Sequence, residues 1–347
     1  MKRINALDNL KGILCLMVLI YHIIYIFSPS VSSSPFRVTG IKLFDIYEIF
    51  FSTWVMCMFF VISGISTRFF LNKKSSFMLI KSRTFKILMP FIGCIFCFNW
   101  IYGLVLFKLY RISLQNLPLF MKYIIYCFFD LGPLWFCISL IIITLIFILF
   151  LKITKIKTIK FDNFSSKAMF FILIPFLMHF ISICEVTGIY RIGMYGLMFF
   201  LGYYVFSDSE IISTLKRRTF ELEILSIIVT VIFILVNYGE NYCDLAFLQK
   251  LSVNMYSWLI ICTVLSFSLN NLNFSNKFTE FFKKNSLYIY LIHYPLLLLV
   301  VYFVLKFKFK IEFYYILTSF ILALILLLLI YLKDIVYKLL NRLTVKK

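Results

Sequence analysis

The residues best able to do chemistry in this sequence are its three histidines, His22, His179 and His293, which all lie within apolar segments. An ionisable side chain at membrane depth is costly and therefore indicates a functional site. His22 follows Lys11 by eleven residues, which on a helix is about three turns and a rise of roughly 16 Å. We therefore expect Lys11 at the mouth of the first membrane span and His22 near its middle, on nearly the same face. A neutral imidazole there could act as a general base, or could simply pack and donate to a carbonyl.

For the other two histidines, His293 and His179, the sequence supports a structural role to different degrees. His293 lies two residues before Pro295, which has no N–H and so leaves backbone carbonyl groups free to pair with the imidazole. A functional and a structural role for His293 are equally open on this evidence. His179 has no acidic neighbour at helical spacing, which favours a structural or cavity-lining role.

Other polar residues recur at the predicted ends of spans. The basic residues Lys81, Arg83 and Lys86 could cradle a phosphorylated ligand, or could only reflect the excess of positive charge in cytoplasmic loops. The pair Ser63-Gly64 predicts close helix packing, and the alternative is a hydroxyl or amide that faces a ligand.

A second polar group is expected at the opposite, outer side. Trp135, after Gly-Pro at the start of a span, could be an interfacial anchor or a ligand contact. Four carboxylates are expected toward the same side, and they could bind a polar substrate or simply be solvated: Asp45, Glu48, Asp130 and Glu185.

The composition is that of an integral membrane protein. Hydrophobic residues make up 63% of the chain and charged residues 14%, and the mean hydropathy is +0.98. The formal charge of +20 does not indicate nucleic acid, because most basic residues fall in short loops between apolar runs. Cys94 and Cys97 form a CxxC without a second pair, so no metal site is predicted. The sequence contains no nucleotide-binding glycine loop, HExxH helix or GxSxG elbow.

The elements that must position these residues are membrane-spanning helices. The charge bias predicts an even number of spans with both termini in the cytoplasm, and only the basic loop 306–312 disagrees. No internal repeat, low-complexity tract or linker divides the sequence, so we expect one domain over 1–347 without a fused extracytoplasmic domain. The segment 117–130 is short and predicts a re-entrant or interfacial helix. The apolar runs predict ten spans, at 10–28, 44–66, 86–107, 134–151, 168–184, 192–207, 220–238, 254–270, 286–305 and 313–332.

Six motifs occur together and in one order, and with them the chain resembles acyltransferase family 3, bacterial integral-membrane O-acyltransferases that modify surface glycans. Lysine stands at 11 and at 86 where arginine is commoner in the family, and Cys137 follows Trp135-Phe136 where leucine is frequent. The motifs are Lys11 with His22, Phe59-Phe60-Val61-Ile62-Ser63-Gly64, Arg83 with Lys86 and Pro90, Leu134-Trp135-Phe136, Phe199-Phe200-Leu201-Gly202-Tyr203, and the run from Ser286 to Pro295.

The resemblance implies an acyl-CoA donor, usually acetyl-CoA, that enters from the cytoplasm, and a glycan hydroxyl as acceptor at the other face of a bacterial cytoplasmic membrane. It implies that His22 acts as general base or carries a transient acyl group, with Lys11 oriented by Asp8 at helical spacing. Lys11, Arg83, Lys86 and Ser63 would bind the donor. Trp135, His293, Tyr290 and Glu48 would contact the acceptor. The alternative from a different class is a transporter or flippase of a polar or glycan-linked lipid.

Overall fold

A computed structural model describes residues 5–28, 34–36, 41–158, 164–188 and 190–345, and every regular element in these ranges is helical. Sixteen α-helices are accompanied by two π-helical segments, Thr84–Leu88 and Ile95–Asn99, and by a 3-10 turn, Gly132–Leu134. The α-helices are α1 Asn5–Tyr25, α2 Leu43–Ser52, α3 Val55–Leu71, α4 Ser76–Arg83, α5 Met89–Cys94, α6 Trp100–Leu109, α7 Leu119–Phe128, α8 Trp135–Thr154, α9 Phe164–Ile183, α10 Ile192–Tyr204, α11 Ser209–Arg217, α12 Thr219–Asn237, α13 Leu245–Gln249, α14 Leu251–Asn271, α15 Lys277–Val304 and α16 Ile311–Val345.

Eight helical stretches in the described ranges are long and apolar enough to cross a membrane, so the prediction of a multi-pass helical membrane protein is confirmed. Two predicted spans, 168–184 and 192–207, fall on shorter apolar stretches, Phe171–Ile183 and Ile192–Tyr204. The number ten and the side of the termini therefore stay predictions. The eight long stretches are Asn5–Tyr25, Leu43–Leu71, Ser76–Leu109, Gly132–Thr154, Thr219–Asn237, Leu251–Asn271, Lys277–Val304 and Ile311–Leu339.

The segment predicted to be re-entrant or interfacial forms α7, which has ten residues. Ten helical residues extend about 15 Å, half of a hydrocarbon core. The helix packs against α6 at Gly103, where a Cβ atom would lie 2.1 Å from the carbonyl oxygen of Tyr126. Only a glycine at this position allows that approach.

The stretch Ser76–Leu109 is one long helix with two widened turns. Its π-helical segments flank Pro90, a residue that cannot donate to the helical ladder. At the end of the second π segment, the buried Asn99 donates to the carbonyl oxygens of Cys127 at 2.8 Å and Asp130 at 2.9 Å. The amide therefore fastens this helix to the loop that leads into α8.

Helices α3 and α10 pack closely through two glycines, each of which faces the backbone of the other helix. A Cβ atom on Gly64 would lie 2.1 Å from the carbonyl oxygen of Phe199, and a Cβ atom on Gly202 would lie 2.2 Å from that of Val61. The prediction that Gly64 serves close packing is confirmed, since small residues let membrane helices approach in this way.

Helix α1 packs between α15 and α14, and this contact places His22 in the bundle. A Cβ atom on Gly12 would lie 2.8 Å from the Cβ atom of Phe282 on α15. Asn9 donates from its amide to the carbonyl oxygens of Leu272 and Phe274, each at 2.7 Å, beyond the end of α14. These contacts set the depth of α1 relative to both neighbours.

Candidate active site

His22 on α1 and His293 on α15 form a hydrogen-bonded pair. The His293 Nε2 atom lies 3.1 Å from the His22 Nδ1 atom, and the two ring centroids are 5.0 Å apart. His293 is buried, with 1% of its surface exposed, whereas His22 is half-buried. The two residues are 271 positions apart in the sequence, so packing of α1 against α15 creates the pair.

The hydrogen bonds determine which nitrogen of each neutral ring carries the proton. The His293 Nδ1 atom lies 2.7 Å from the carbonyl oxygen of Tyr290, and because a carbonyl only accepts, Nδ1 carries the His293 proton. The Nε2 atom of His293 is then an acceptor, and the Nδ1 atom of His22 donates to it. The remaining lone pair of His22 therefore lies on Nε2, which makes this atom the base of the pair.

A cavity of about 470 Å³ lies next to this base. His22, Trp135 and Tyr290 all line it, so the structure brings three of the sequence-predicted residues to one space. The wall consists of Val18, Tyr21, His22, Tyr25, Pro35, Phe51, Ser52, Met56, Tyr102, Leu106, Tyr110, Phe129, Asp130, Gly132, Pro133, Trp135, Gly188, Tyr190, Tyr195, Tyr242, Cys243, Leu248, Tyr290 and Tyr294.

Aromatic rings dominate the cavity wall. Tyr294 and Tyr21 meet the His22 ring edge to face, with centroid distances of 4.9 and 5.2 Å. Trp135 stacks on Tyr195 at 5.2 Å, and Tyr195 stacks on the buried Phe60 at 4.7 Å. Rings held in this way present rigid faces and, in the tyrosines, hydroxyl groups to a ligand.

Asp130 is the carboxylate of the cavity wall, and the loop between α7 and α8 holds it in place. Its Oδ2 atom accepts from the Tyr102 hydroxyl at 2.8 Å, and its Oδ1 atom accepts from the Gly132 backbone N–H at 2.8 Å. Gly132 has φ +45°, and a Cβ atom there would lie 3.1 Å from the Tyr294 ring. This glycine therefore permits the turn that points the chain back into α8.

Glu48, predicted to contact the acceptor, lies behind the cavity wall and not on it. It is fully buried, its Oε2 atom accepts from the Ser28 hydroxyl at 2.9 Å, and its carboxyl lies beside the hydroxyl of Tyr242. In the loop after α12, burial raises the pKa of the Tyr242 hydroxyl well above its usual range. Burial likewise raises the pKa of the neighbouring Cys243 thiol to about 12. Both loop groups therefore stay protonated at neutral pH.

Four of the predicted site residues cluster near the N-terminal end of α1, away from His22. The Lys11 ammonium lies 3.9 Å from the Asp8 carboxylate and 3.4 Å from the Ser66 hydroxyl on α3. The next residue of α3, Thr67, accepts from the Arg83 guanidinium at 3.2 Å and donates to the Ser63 carbonyl oxygen at 2.8 Å. Asp8, Lys11, Ser63 and Arg83 are thus linked through Ser66 and Thr67, with Ser63 and Thr67 buried, and we call this group of residues the basic end.

Lys86 lies in a separate groove. The same groove is also lined by Lys74 and Lys81 and by apolar side chains that include Phe70 and Phe85. The Lys86 side chain is exposed, whereas Arg83 is half-buried against α3. The structure therefore places these two predicted donor-binding residues on different surfaces, although they are three positions apart.

The remaining candidates have structural partners. His179 Nδ1 lies 2.8 Å from the Gln249 carbonyl oxygen, which joins α9 to the end of α13 and fits a structural role. The buried Cys94 donates to the Leu291 carbonyl oxygen at 3.1 Å, the carbonyl that Pro295 leaves without its helical partner. Across the part of the chain that the structure describes, no group of three or more potential ligands could hold a metal ion.

Sequence reasoning missed most of the cavity. It singled out none of Tyr21, Tyr25, Tyr102, Tyr195 or Tyr294 as a wall residue, although the chain contains 22 tyrosines. Asp130 was considered only as one of several outer carboxylates. No local pattern marks these residues, because the five tyrosines come from four different helices and Asp130 from a loop, and only packing brings them together.

The fold and the site define a class of protein. It is a multi-pass helical membrane protein in which a histidine pair lies at the wall of a tyrosine-rich cavity. The family model for acyltransferase family 3, described as an acyltransferase domain, matches residues 4–332 of the 347-residue chain. The chain therefore belongs to acyltransferase family 3 and is a membrane acyltransferase. Comparison with curated proteins gives no match, and neither does comparison with solved structures.

Proposed function

We propose that this acyltransferase transfers an acetyl or other acyl group from acyl-CoA to a hydroxyl group of a cell-surface glycan or its lipid-linked precursor, with His22 as the general base. One observation carries the proposal. The chain belongs to a family of acyltransferases, and the hydrogen bonds of the His22–His293 pair leave a free lone pair on His22 Nε2. His22 is the half-buried histidine of the two and lies at the cavity wall.

The chemistry at His22 balances without a further group. The Nε2 atom takes the proton of the acceptor hydroxyl group, and the oxygen of that hydroxyl group attacks the carbonyl carbon of the thioester. The carbon–sulfur bond then breaks, and the CoA thiolate takes up the proton from His22. His293 acts as a positioning residue, since its Nε2 atom accepts from His22 Nδ1 in both protonation states of His22.

The donor would bind at the basic end. Lys11 and Arg83 offer cations to the phosphate groups of CoA, Ser63 lies in the same cluster, and Lys86 adds charge from the neighbouring groove. Between Lys11 and His22, the α1 residues Leu14, Cys15 and Val18 are buried. In this proposal a pantetheine arm that follows α1 reaches His22 when α1 and its neighbours separate locally, as occurs in many gated sites.

The acceptor would enter the cavity from the Trp135 side. The volume of about 470 Å³ falls in the range of small-molecule sites, and Trp135 and Tyr290 lie on its wall. In this arrangement both termini and the basic end face the cytoplasm of a bacterial cell, ten segments cross the membrane, and the cavity opens to the outer side.

The experiment uses the purified protein in lipid nanodiscs with acetyl-CoA and follows release of free CoA thiol. Wild type should release CoA, and His22→Ala should lose at least about 100-fold of that rate. His179→Gln is the matched control, because this histidine binds the Gln249 carbonyl and is not among the residues that line the cavity. Full activity in His22→Ala would exclude the proposed base. An acetyl group retained on the His22 peptide would instead identify an acyl-imidazole intermediate.

A further inference from the structure

The charge of the acceptor cavity is unlike that of the chain as a whole. The sequence carries 35 lysines and arginines and a net charge of +20, yet none of these residues is among the described residues that line the cavity. The described wall has a single formally charged side chain, the carboxylate of Asp130. The other polar side chains on the described wall are those of nine tyrosines, Trp135, His22, Ser52 and Cys243.

A buried cation and a carboxylate lie behind the cavity wall at Tyr195. The Arg191 guanidinium lies behind Tyr195, where it donates to the Ser182 hydroxyl at 3.1 Å. Glu185 acts on the same tyrosine with the opposite charge, and its Oε1 atom accepts from the Met194 backbone N–H at 2.9 Å. One buried charge of each sign therefore lies behind Tyr195, and Glu48 lies behind Tyr242, whereas Asp130 is the formally charged side chain on the described wall itself.

The Asp130 carboxylate is also held as a binding group. Tyr102 and Gly132 donate one hydrogen bond to each of its oxygens, at 2.8 Å, which fixes its orientation. Each carboxylate oxygen can accept a second hydrogen bond. Asp130 can therefore accept from sugar hydroxyl groups while Trp135 and the tyrosines contact the apolar ring faces.

We infer that the cavity selects an acceptor sugar whose reacting unit carries no anionic group, with Asp130 as the specificity-determining residue. The inference rests on the proposed function and deepens it by naming the chemical class of the acceptor. An anionic sugar, such as a uronic acid or a sugar phosphate, would meet the Asp130 charge without a cation on the described wall. At a separation of roughly 8 Å in a partly solvated site, such repulsion corresponds to about tenfold weaker binding.

The test compares methyl β-D-glucopyranoside with methyl β-D-glucuronide, which differ only by a carboxylate in place of the hydroxymethyl group. Two readouts are used on the full chain in nanodiscs. One is acetylated sugar formed from acetyl-CoA, detected by mass. The other is protection of His22 from carbethoxylation by diethyl pyrocarbonate in the absence of acetyl-CoA, which reports binding at the cavity without turnover.

The glucoside should protect His22, and be acetylated, at concentrations at least about tenfold lower than the glucuronide. Asp130→Asn should reduce this ratio below about threefold, because it keeps the shape and removes the charge. Glu312→Gln is the matched control, since it removes one negative charge from an exposed residue of α16 that is not on the cavity wall, and it should leave the ratio unchanged.

Three results would overturn the inference: equal or better use of the glucuronide, an unchanged ratio in Asp130→Asn, or protection of His22 by neither sugar. Failure of the proposed function has a different signature. In that case wild type releases no CoA in a His22-dependent manner, whereas the protection ratio is measured without acyl-CoA and can still be read.

Discussion

The His293 Nε2 atom lies 3.1 Å from the His22 Nδ1 atom, and this contact assigns the two histidines different tasks. His293 is buried and bonded to the Tyr290 carbonyl, so its ring orientation is fixed. His22 is half-buried and lines the cavity. Because the buried His293 accepts from the Nδ1 atom of His22, the lone pair of the half-buried His22 stays on Nε2, and the outer partner of a metal-bound or catalytic histidine acts in the same way.

His293→Phe should lower kcat by about 100-fold and change the KM for acetyl-CoA little, because it removes the acceptor of His22 Nδ1 and not a donor contact. His293→Gln should recover part of the loss, since its amide oxygen can accept the same hydrogen bond. Steady-state kinetics of both variants measure this split. An unchanged kcat in the phenylalanine variant would contradict the positioning role, and His179→Gln controls for a general effect of losing a histidine that binds a backbone carbonyl.

The close contact between Gly64 and Gly202 predicts that alanine substitutions at two glycines of α10 affect stability very differently. Gly202→Ala and Gly64→Ala should each destabilise the protein by about 3 kcal/mol or more, because the new methyl group meets a backbone carbonyl that side-chain rotation cannot move. Gly196→Ala, on the same helix as Gly202, meets nothing within 4 Å and should be neutral or stabilising. Unfolding in mixed detergent micelles compares the three variants, and equal stability of Gly202→Ala and Gly196→Ala would refute the packing argument.

Loss of a positive charge should raise the KM for acetyl-CoA more at the basic end than in the groove that contains Lys86. Lys11→Gln should raise the KM for acetyl-CoA about tenfold, because the ammonium lies between Asp8 and Ser66 in the cluster that contains Arg83. Lys86→Gln should raise it only about threefold, since Lys74 and Lys81 keep the same groove basic. Both effects should diminish at high salt. A larger effect of Lys86→Gln would move the phosphate site to that groove.

The Cys243 thiol on the cavity wall should alkylate slowly at neutral pH. Burial raises its pKa to about 12, and the thiolate is the reactive form, so the reactive fraction at pH 7 is about 10⁻⁵. The rate with iodoacetamide should therefore rise about tenfold per pH unit from pH 7 to pH 10 without a plateau. Peptide mass spectrometry measures it, with the exposed Cys184 as the accessible control. A plateau below pH 9 would show that the thiol is not shielded as described.

Features that depend on neighbouring residues along the chain could be predicted from the sequence. Apolar runs long enough to span the hydrocarbon core are local patterns, and eight of the ten predicted spans match long helices. The contact of Asp8 with Lys11 follows from helical spacing alone. The ordered motifs indicated the family, whose model matches residues 4–332.

Tertiary structure decided how the predicted residues divide into sites. His22 and His293 are 271 positions apart, and their pairing depends on how α1 packs against α15, which no local pattern encodes. Packing among further helices and loops put Glu48 behind the wall and assembled nine tyrosines with Asp130 around one cavity. The π-helical segment Thr84–Leu88 begins directly after Arg83 and contains Lys86, and these two residues lie on different surfaces. Local hydropathy determines which segments enter the membrane, whereas steric fit between helices determines which side chains meet there.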